Sequence, residues 1–335
     1  MNTVLAMKFN LQLFADTTVP EGLVQKAWAK QLFKEAERDN FFNQFTGTTA
    51  NSIIQVMSDL KKDKGDKITV PLLMRLTGEG VEGDNTLEGN EEALQFYDFS
   101  VEVDQIRHAV RLEGEMEEQK TQLNLRTQAK EGLKVWLREK IEATITAALV
   151  ANPTAEHTVF AGGKSAENLL TPTDIMTCDL ISIAASKAKT MTPKIRRPVI
   201  NGKEYYIMLV DPYQARDLKK DQRWIDAAEN CAERGSNNPI FTGMLGVWDG
   251  VVVHEYENLP RTTTGASSAV VGHALLLGCQ AGVKAIAKEP YWREKTFDYG
   301  NKAGFATGMI WGAGKSVFNG KDFAVVQVMT SSAND

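Results

Sequence analysis

The chain has 335 residues, 43% hydrophobic and 24% charged, with 26 glycines and 10 prolines. These proportions exclude a disordered chain, a collagen-like fibre and a small disulfide scaffold. Its 38 lysines and arginines against 43 aspartates and glutamates leave a net charge of −5, so the chain as a whole is not a basic nucleic-acid binder. Cys178, Cys231 and Cys279 are far apart and odd in number, which fits reduced, buried thiols. Neither they nor His108, His157, His254 and His273 have metal-ligand spacing, and no apolar run approaches membrane-spanning length.

In chain order, Met1 to Phe14 is mildly apolar but is interrupted by Lys8, Asn10 and Gln12, and it lacks the compact core of a signal peptide. Leu23, Ala27, Leu32 and Ala36 predict a helix over 21–38. Phe41, Phe42 and Phe45 follow in a polar stretch and must dock on a core or a neighbour. Ile68, Val70, Leu72, Met74 and Leu76 predict a strand over 67–76, with a partner over 96–113. In that partner Phe99, Val101 and Val103 share one parity, and Ile106, His108, Val110 and Leu112 the other. A bulge or bend is therefore expected near Asp104 and Gln105.

The intervening hairpin, 77–92, is rich in glycine and acidic. From 77 to 106 there are nine acids, Glu79, Glu82, Asp84, Glu88, Glu91, Glu92, Asp98, Glu102 and Asp104, and no lysine or arginine. Two readings stay open: a solvated loop, or an arm that finds a basic surface on another subunit. A calcium loop starting at Asp84 is disfavoured, because Gln95 stands where a bidentate glutamate is needed.

The longest helical signal runs over 116–151, with Leu133, Trp136, Leu137, Ile141, Ile145, Ala148 and Leu149 at three- and four-residue steps. It predicts a spine on the order of 50 Å long. Asp174 is expected to cap a helix through Ala188. A buried strand over 205–210 should end in a turn at Asp211 and Pro212, before helical pieces at 213–219 and 223–231. Further strands are expected over 251–256, 269–278, 305–311 and 323–329. The irregular mixture indicates an α+β fold.

Little catalytic chemistry is on offer. Gly312-Ala-Gly-Lys-Ser316 and Gly162-Gly-Lys-Ser165 both lack the first glycine of a phosphate loop, and each reads as a turn. His254-Glu255 has no second histidine four residues on, and Asp211 with Asp217 has no accompanying nucleophile. Lys187, Lys189, Lys194, Arg196, Arg197 and Lys203 make a basic stretch: a solvated loop, the counterpart of the acidic arm, or a phosphate contact.

The run 206–221, YIMLVDPYQARDLKKD, followed by Trp224, resembles a signature of major capsid proteins from N4-like tailed bacteriophages and related prophages. The blocks NPIFTGMLGVWDGVVVHE (238–255) and FDYGNKAGFATGMIWG (297–312) are similar to later blocks of the same family, and NLQLFAD (10–16) resembles the opening of many phage shell proteins. The signature residues are Asp211, Pro212, Asp217, Asp221, Trp224, Asn238, Pro239, Phe241, Gly243, His254 and Glu255. The resemblance does not account for the leader 1–9.

The resemblance implies the tailed-phage major capsid fold: an N-terminal arm and short helix (1–50), an extended acidic loop (60–115), a spine helix and peripheral domain (116–172), an axial domain (173–247), and strands returning to the peripheral domain (248–335). It further implies a late, structural virion protein without catalytic residues, cofactor or metal. Such a protein assembles in the bacterial host cytoplasm, as hexamers and pentamers, into an icosahedral shell around double-stranded DNA. Scaffold, portal or decoration proteins are further partners it allows; a membrane is not. Contacts between subunits are then expected at Glu79, Glu82, Asp84, Glu88, Glu91 and Glu92, with Lys194, Arg196 and Arg197 as counterparts. The alternatives are a nanocompartment shell of the same fold and a nucleotide-binding enzyme using Gly312 to Ser316.

Overall fold

The computed structural model describes residues 36, 39–58, 66–73, 80–89, 91, 96–120, 124–200, 202–230 and 244–332. The expected helix over 21–38 lies outside them, apart from Ala36, which is helical and buried. In chain order the principal elements are β1 (Ile54–Met57), β2 (Lys67–Leu73), β3 (Phe96–Glu102), β4 (Asp104–Arg111), α1 (Glu115–Lys120), α2 (Leu125–Val150), β5 (Thr158–Phe160) and α3 (Cys178–Thr190). There follow β6 (Tyr206–Val210), α4 (Pro212–Lys220), α5 (Gln222–Asn230), β7 (Met244–Trp248), β8 (Val251–Glu255), β9 (Val271–Leu277), β10 (Gly282–Phe297), β11 (Lys302–Lys315) and β12 (Val325–Ser331).

One sheet has the order β7-β8-β6-β9-β12-β5, with the short strand Arg261–Thr262 beside β9. β6, β9 and β12 are buried along their whole lengths: β6 is an unbroken apolar run, as a strand covered on both faces requires, and the buried polar His273 of β9 and Gln327 of β12 hydrogen-bond to each other. α3 packs on this sheet through Cys178, Leu180, Ile181, Ala184, Ala185 and Ala188. Thr177, not Asp174, stands at its N-cap position; Asp174 instead accepts hydrogen bonds from the backbone and hydroxyl of Thr171. Asp211 and Pro212 make no mere turn. Asp211 caps α4 in a reciprocal capping box with Gln214, and Pro212 takes the first helical position, where its missing N–H costs nothing.

The second sheet has the order β1-β10-β11-β4, edged by Thr46–Gly47. β10 and β11, sixteen and fourteen residues long, form one long antiparallel hairpin. α2 lies across it, burying Leu133, Leu137, Ile141, Ile145 and Leu149, while Trp136 stacks on His108 of β4. The helix expected over 116–151 is two helices. The Asn124 side chain accepts the Thr127 N–H and starts α2 afresh, leaving 26 residues, or about 39 Å.

The Phe trio docks as expected: Phe42 and Phe45 are buried, and Phe41 stacks on Tyr256 at 4.6 Å. The expected hairpin pairs β2 with β3 from Lys67↔Glu102 to Leu73↔Phe96; Met74 and Leu76 lie outside the described residues. At Val103 the change of parity proves to be a change of sheet. Val103 N–H donates to Asp66 and closes the β2–β3 ladder, and β4 then pairs with β11. The hairpin's inner face, Ile68, Val70 and Val101, packs on Val283 and Ala285 of β10.

Candidate assembly surfaces

Gly312-Ala-Gly-Lys is neither phosphate loop nor turn. It lies within β11 and pairs with Lys284, Ala285 and neighbouring residues of β10. Its glycines meet the base of the β2–β3 hairpin instead. A β-carbon on Gly312 would collide with the Glu102 carbonyl, and one on Gly314 would stand 2.8 Å from a Val101 methyl. Gly162 and Gly163, by contrast, do form a turn with positive φ.

Beyond this seat the described residues 80–89 and 91 form no strand. Glu82, Asp84, Glu88 and Glu91 are exposed there. Among the described residues none of the four has an ion-pair partner; Glu91 accepts only the Gly89 N–H. Glu79 and Glu92 lie outside the described residues.

The basic stretch is largely engaged within its own chain. Lys187 donates to the Thr158 carbonyl, Lys189 faces Asp249 at 3.6 Å, Arg196 donates to the Ala50 carbonyl, and Arg197 pairs with Glu204 at 3.0 Å. Lys194 is exposed.

The signature residues hold the first sheet and its helices together. The buried Asp211 also accepts from Ser332 and lies 3.9 Å from Arg261, whose guanidinium covers the Tyr213 ring. Asp217 takes Arg216 at 3.1 Å. Asp221 receives the backbone N–H groups of Cys178 and Arg223. Burial pushes its pKa up, but these bonds outweigh that and hold it below the usual carboxylate value. Trp224 packs on Gly246, His254 lies edge-on to Phe45 at 5.3 Å, and Glu255 faces Lys219 at 3.6 Å. Asn238, Pro239, Phe241 and Gly243, like Cys231, lie outside the described residues.

A polar seam missed in the sequence joins the spine to the second sheet. Lys315, at the end of β11, pairs with Asp322 at 2.6 Å, both nearly buried, and donates to the carbonyls of Ala151 and Asn152 just past α2. The charges of this seam are consumed in structure. Burial pushes the Cys178 thiol up to about 12, raises that of Cys279, and lowers the pKa of His157 and of His273, disfavouring the charged form of each. Among the described residues no group of three His, Cys, Asp or Glu converges as a metal site.

Comparison with known proteins agrees with this scaffold-like character. A family model described as phage capsid protein matches residues 16–168 and 147–334. The major capsid protein of Pseudomonas phage KPP25 is 32% identical over 354 residues, spanning 91% of this chain and 94% of that protein. The capsid of Ralstonia phage GP4 superposes with a TM-score of 0.78 at 29% identity, covering 88% of this chain and 92% of that one. The cyanophage Pam1 capsid has the same fold, with a TM-score of 0.75 at 24% identity and the same coverage. The chain therefore belongs to the phage capsid protein family: it is a structural, non-enzymatic major capsid subunit that builds the icosahedral shell of a virion from many copies of itself.

Proposed function

We propose that the shell is that of an N4-like tailed phage or prophage, assembled in the host cytoplasm from hexamers and pentamers and enclosing double-stranded DNA. In this reading residues 1–50 are the arm, 60–115 the extended loop, 116–172 the spine and peripheral domain, 173–247 the axial domain, and 248–335 the returning strands. The acidic loop reaches a cationic surface on a neighbouring subunit and sets register and partner choice. Scaffold, portal or decoration proteins are the further partners this reading allows.

The observation that carries this reading is the exposed acidic segment, unpaired among the described residues, beyond a hairpin seated on β11. A solvated loop would also carry exposed carboxylates; what favours an intersubunit contact is that four of them lie on one segment beyond a fixed hairpin base. Electron microscopy of the purified recombinant protein tests it: closed shells with hexameric and pentameric clusters are expected. Glu82→Lys, Asp84→Lys, Glu88→Lys and Glu91→Lys together should leave the subunit folded and abolish shells; normal shells from this variant would remove the acidic contact.

A further inference from the structure

On the face of the second sheet opposite α2, two aromatic rings lie across the central strand. The Tyr291 hydroxyl reaches over Gly308, where a β-carbon would stand 2.7 Å from it, and accepts from the Gln105 amide on β4 at 2.8 Å. The Phe297 ring lies against Gly304, where a β-carbon would stand 2.9 Å from its edge. Glycine is needed at both positions because a ring occupies the space of the side chain.

Each ring carries two cations. Arg111 and Lys295 lie 4.5 and 4.9 Å from the Phe297 centroid, and Lys288 and Arg293 lie 5.0 and 4.9 Å from that of Tyr291. All four are exposed, and among the described residues none has an ion-pair partner. Glu294 turns to the other face, where it holds Arg126 and the Trp292 indole. Glu113 and Asp298 lie just past the ends of β4 and β10, while the exposed Glu289 lies within β10 beside Lys288. Two cations sharing one ring are within about 10 Å of each other, the Debye length at moderate salt, so they repel unless an anion joins them. The rings restrict both side chains beforehand, so an incoming anion meets an ordered array.

We propose that this two-ring platform receives the carboxylates of residues 82–91 from a second copy of the chain. The proposal rests on the reading of the acidic segment as an intersubunit contact and names the surface it meets. Four exposed cations and four exposed carboxylates, each set without an ion pair among the described residues, complement each other on every subunit. The platform suits this role better than the 194–197 stretch, where Arg197 already has a carboxylate and Arg196 a carbonyl.

Charge exchange in the full-length chain tests it. Arg111→Glu, Arg293→Glu and Lys295→Glu together should raise the subunit concentration needed for shells by about tenfold or more. Adding the four acidic-to-lysine changes of the segment to that variant should restore shells. Reversing Lys194, Arg196 and Arg197 in place of the platform should not be rescued by the segment changes. In case glutamates unfold the sheet, the glutamine set Arg111→Gln, Arg293→Gln and Lys295→Gln is assayed for assembly against sodium chloride, with circular dichroism confirming the fold. Shells from it should dissolve at lower salt than wild type.

Unchanged salt sensitivity of that set, or face reversal without effect, overturns the platform and leaves the acidic-segment reading intact if segment reversal still blocks assembly. Normal shells after segment reversal overturn both. Loss of shells that segment reversal does not rescue, accompanied by loss of binding to a duplex DNA fragment, assigns the platform to nucleic acid and overturns the proposal.

Discussion

Gly312 of β11 lies directly against the carbonyl of Glu102 at the end of β3, so close that any side chain would displace the hairpin. This contact, with Gly314 on Val101, seats the base of the β2–β3 hairpin on β11. Gly312→Ala and Gly314→Ala should each cost about 1–3 kcal/mol by overpacking and impair assembly more than that loss implies. Gly132→Ala is the contrast: nothing lies within 4 Å of its added methyl on helix α2, and the variant should be more stable by about 0.5–1 kcal/mol. Denaturant melts and light scattering during assembly measure both.

The Lys315–Asp322 pair gives a second prediction. Lys315→Met leaves the buried Asp322 carboxylate without its cation and strips the donor from the carbonyls past α2, and should cost about 3–5 kcal/mol. The double variant Lys315→Met, Asp322→Leu should recover much of the loss, although Asp322 also accepts the Thr154 N–H. A double-mutant cycle by urea unfolding checks this. Equal losses in single and double variants would show that the carbonyl contacts, not the charge pair, matter.

A third prediction concerns pH. Burial lowers the pKa of His157, which faces Val325, Asp322, Glu156 and Lys187, and of His273, which faces Glu167, Asp211, Thr262 and Gln327. For a group with a depressed folded pKa the unfolded chain binds more protons, so stability rises with pH through the window below 6.5. The stability these neutral histidines contribute is therefore complete above 6.5 and lost on acidification. Subunit melting temperatures should fall between pH 7.5 and 5, less steeply in His157→Gln and His273→Gln.

A fourth prediction uses the thiols. With Cys178 at about 12 and Cys279 raised, both buried, neither should react with a maleimide at pH 7.5 until the chain unfolds. Peptide mass spectrometry after native and denatured labelling reads this directly.

Much of the fold was legible because local pattern and tertiary role agree. The 3.6-residue stripe of Leu133, Leu137, Ile141 and Ile145 marks a helix wherever it packs, and YIMLV marks a strand covered on both faces. What failed to show was tertiary. Glycines 312 and 314 look like turn punctuation but serve close approach, which only the crossing hairpin reveals. β10 was invisible because register shifts between Ile286, Lys288 and Tyr291 interrupt its alternation. The cationic platform was hidden for the same reason: Arg111 and Lys295 are far apart in sequence, and meet because β4, β10 and β11 share a sheet in which Gly304 pairs with both.

That arrangement of strands has a kinetic side. The second sheet joins 54–57 and 104–111 to 282–315, and in the first sheet 158–160 pairs with 325–331. Neither sheet closes from neighbouring segments alone, which places the subunit among slow, high-contact-order folders. The surfaces that copies present to one another thus come into being together and late, after the two halves of the chain have found each other. A chain that stops before 282 lacks β10, β11 and β12 and leaves both sheets incomplete, so truncated chains are expected to yield no folded subunit in a proteolysis assay.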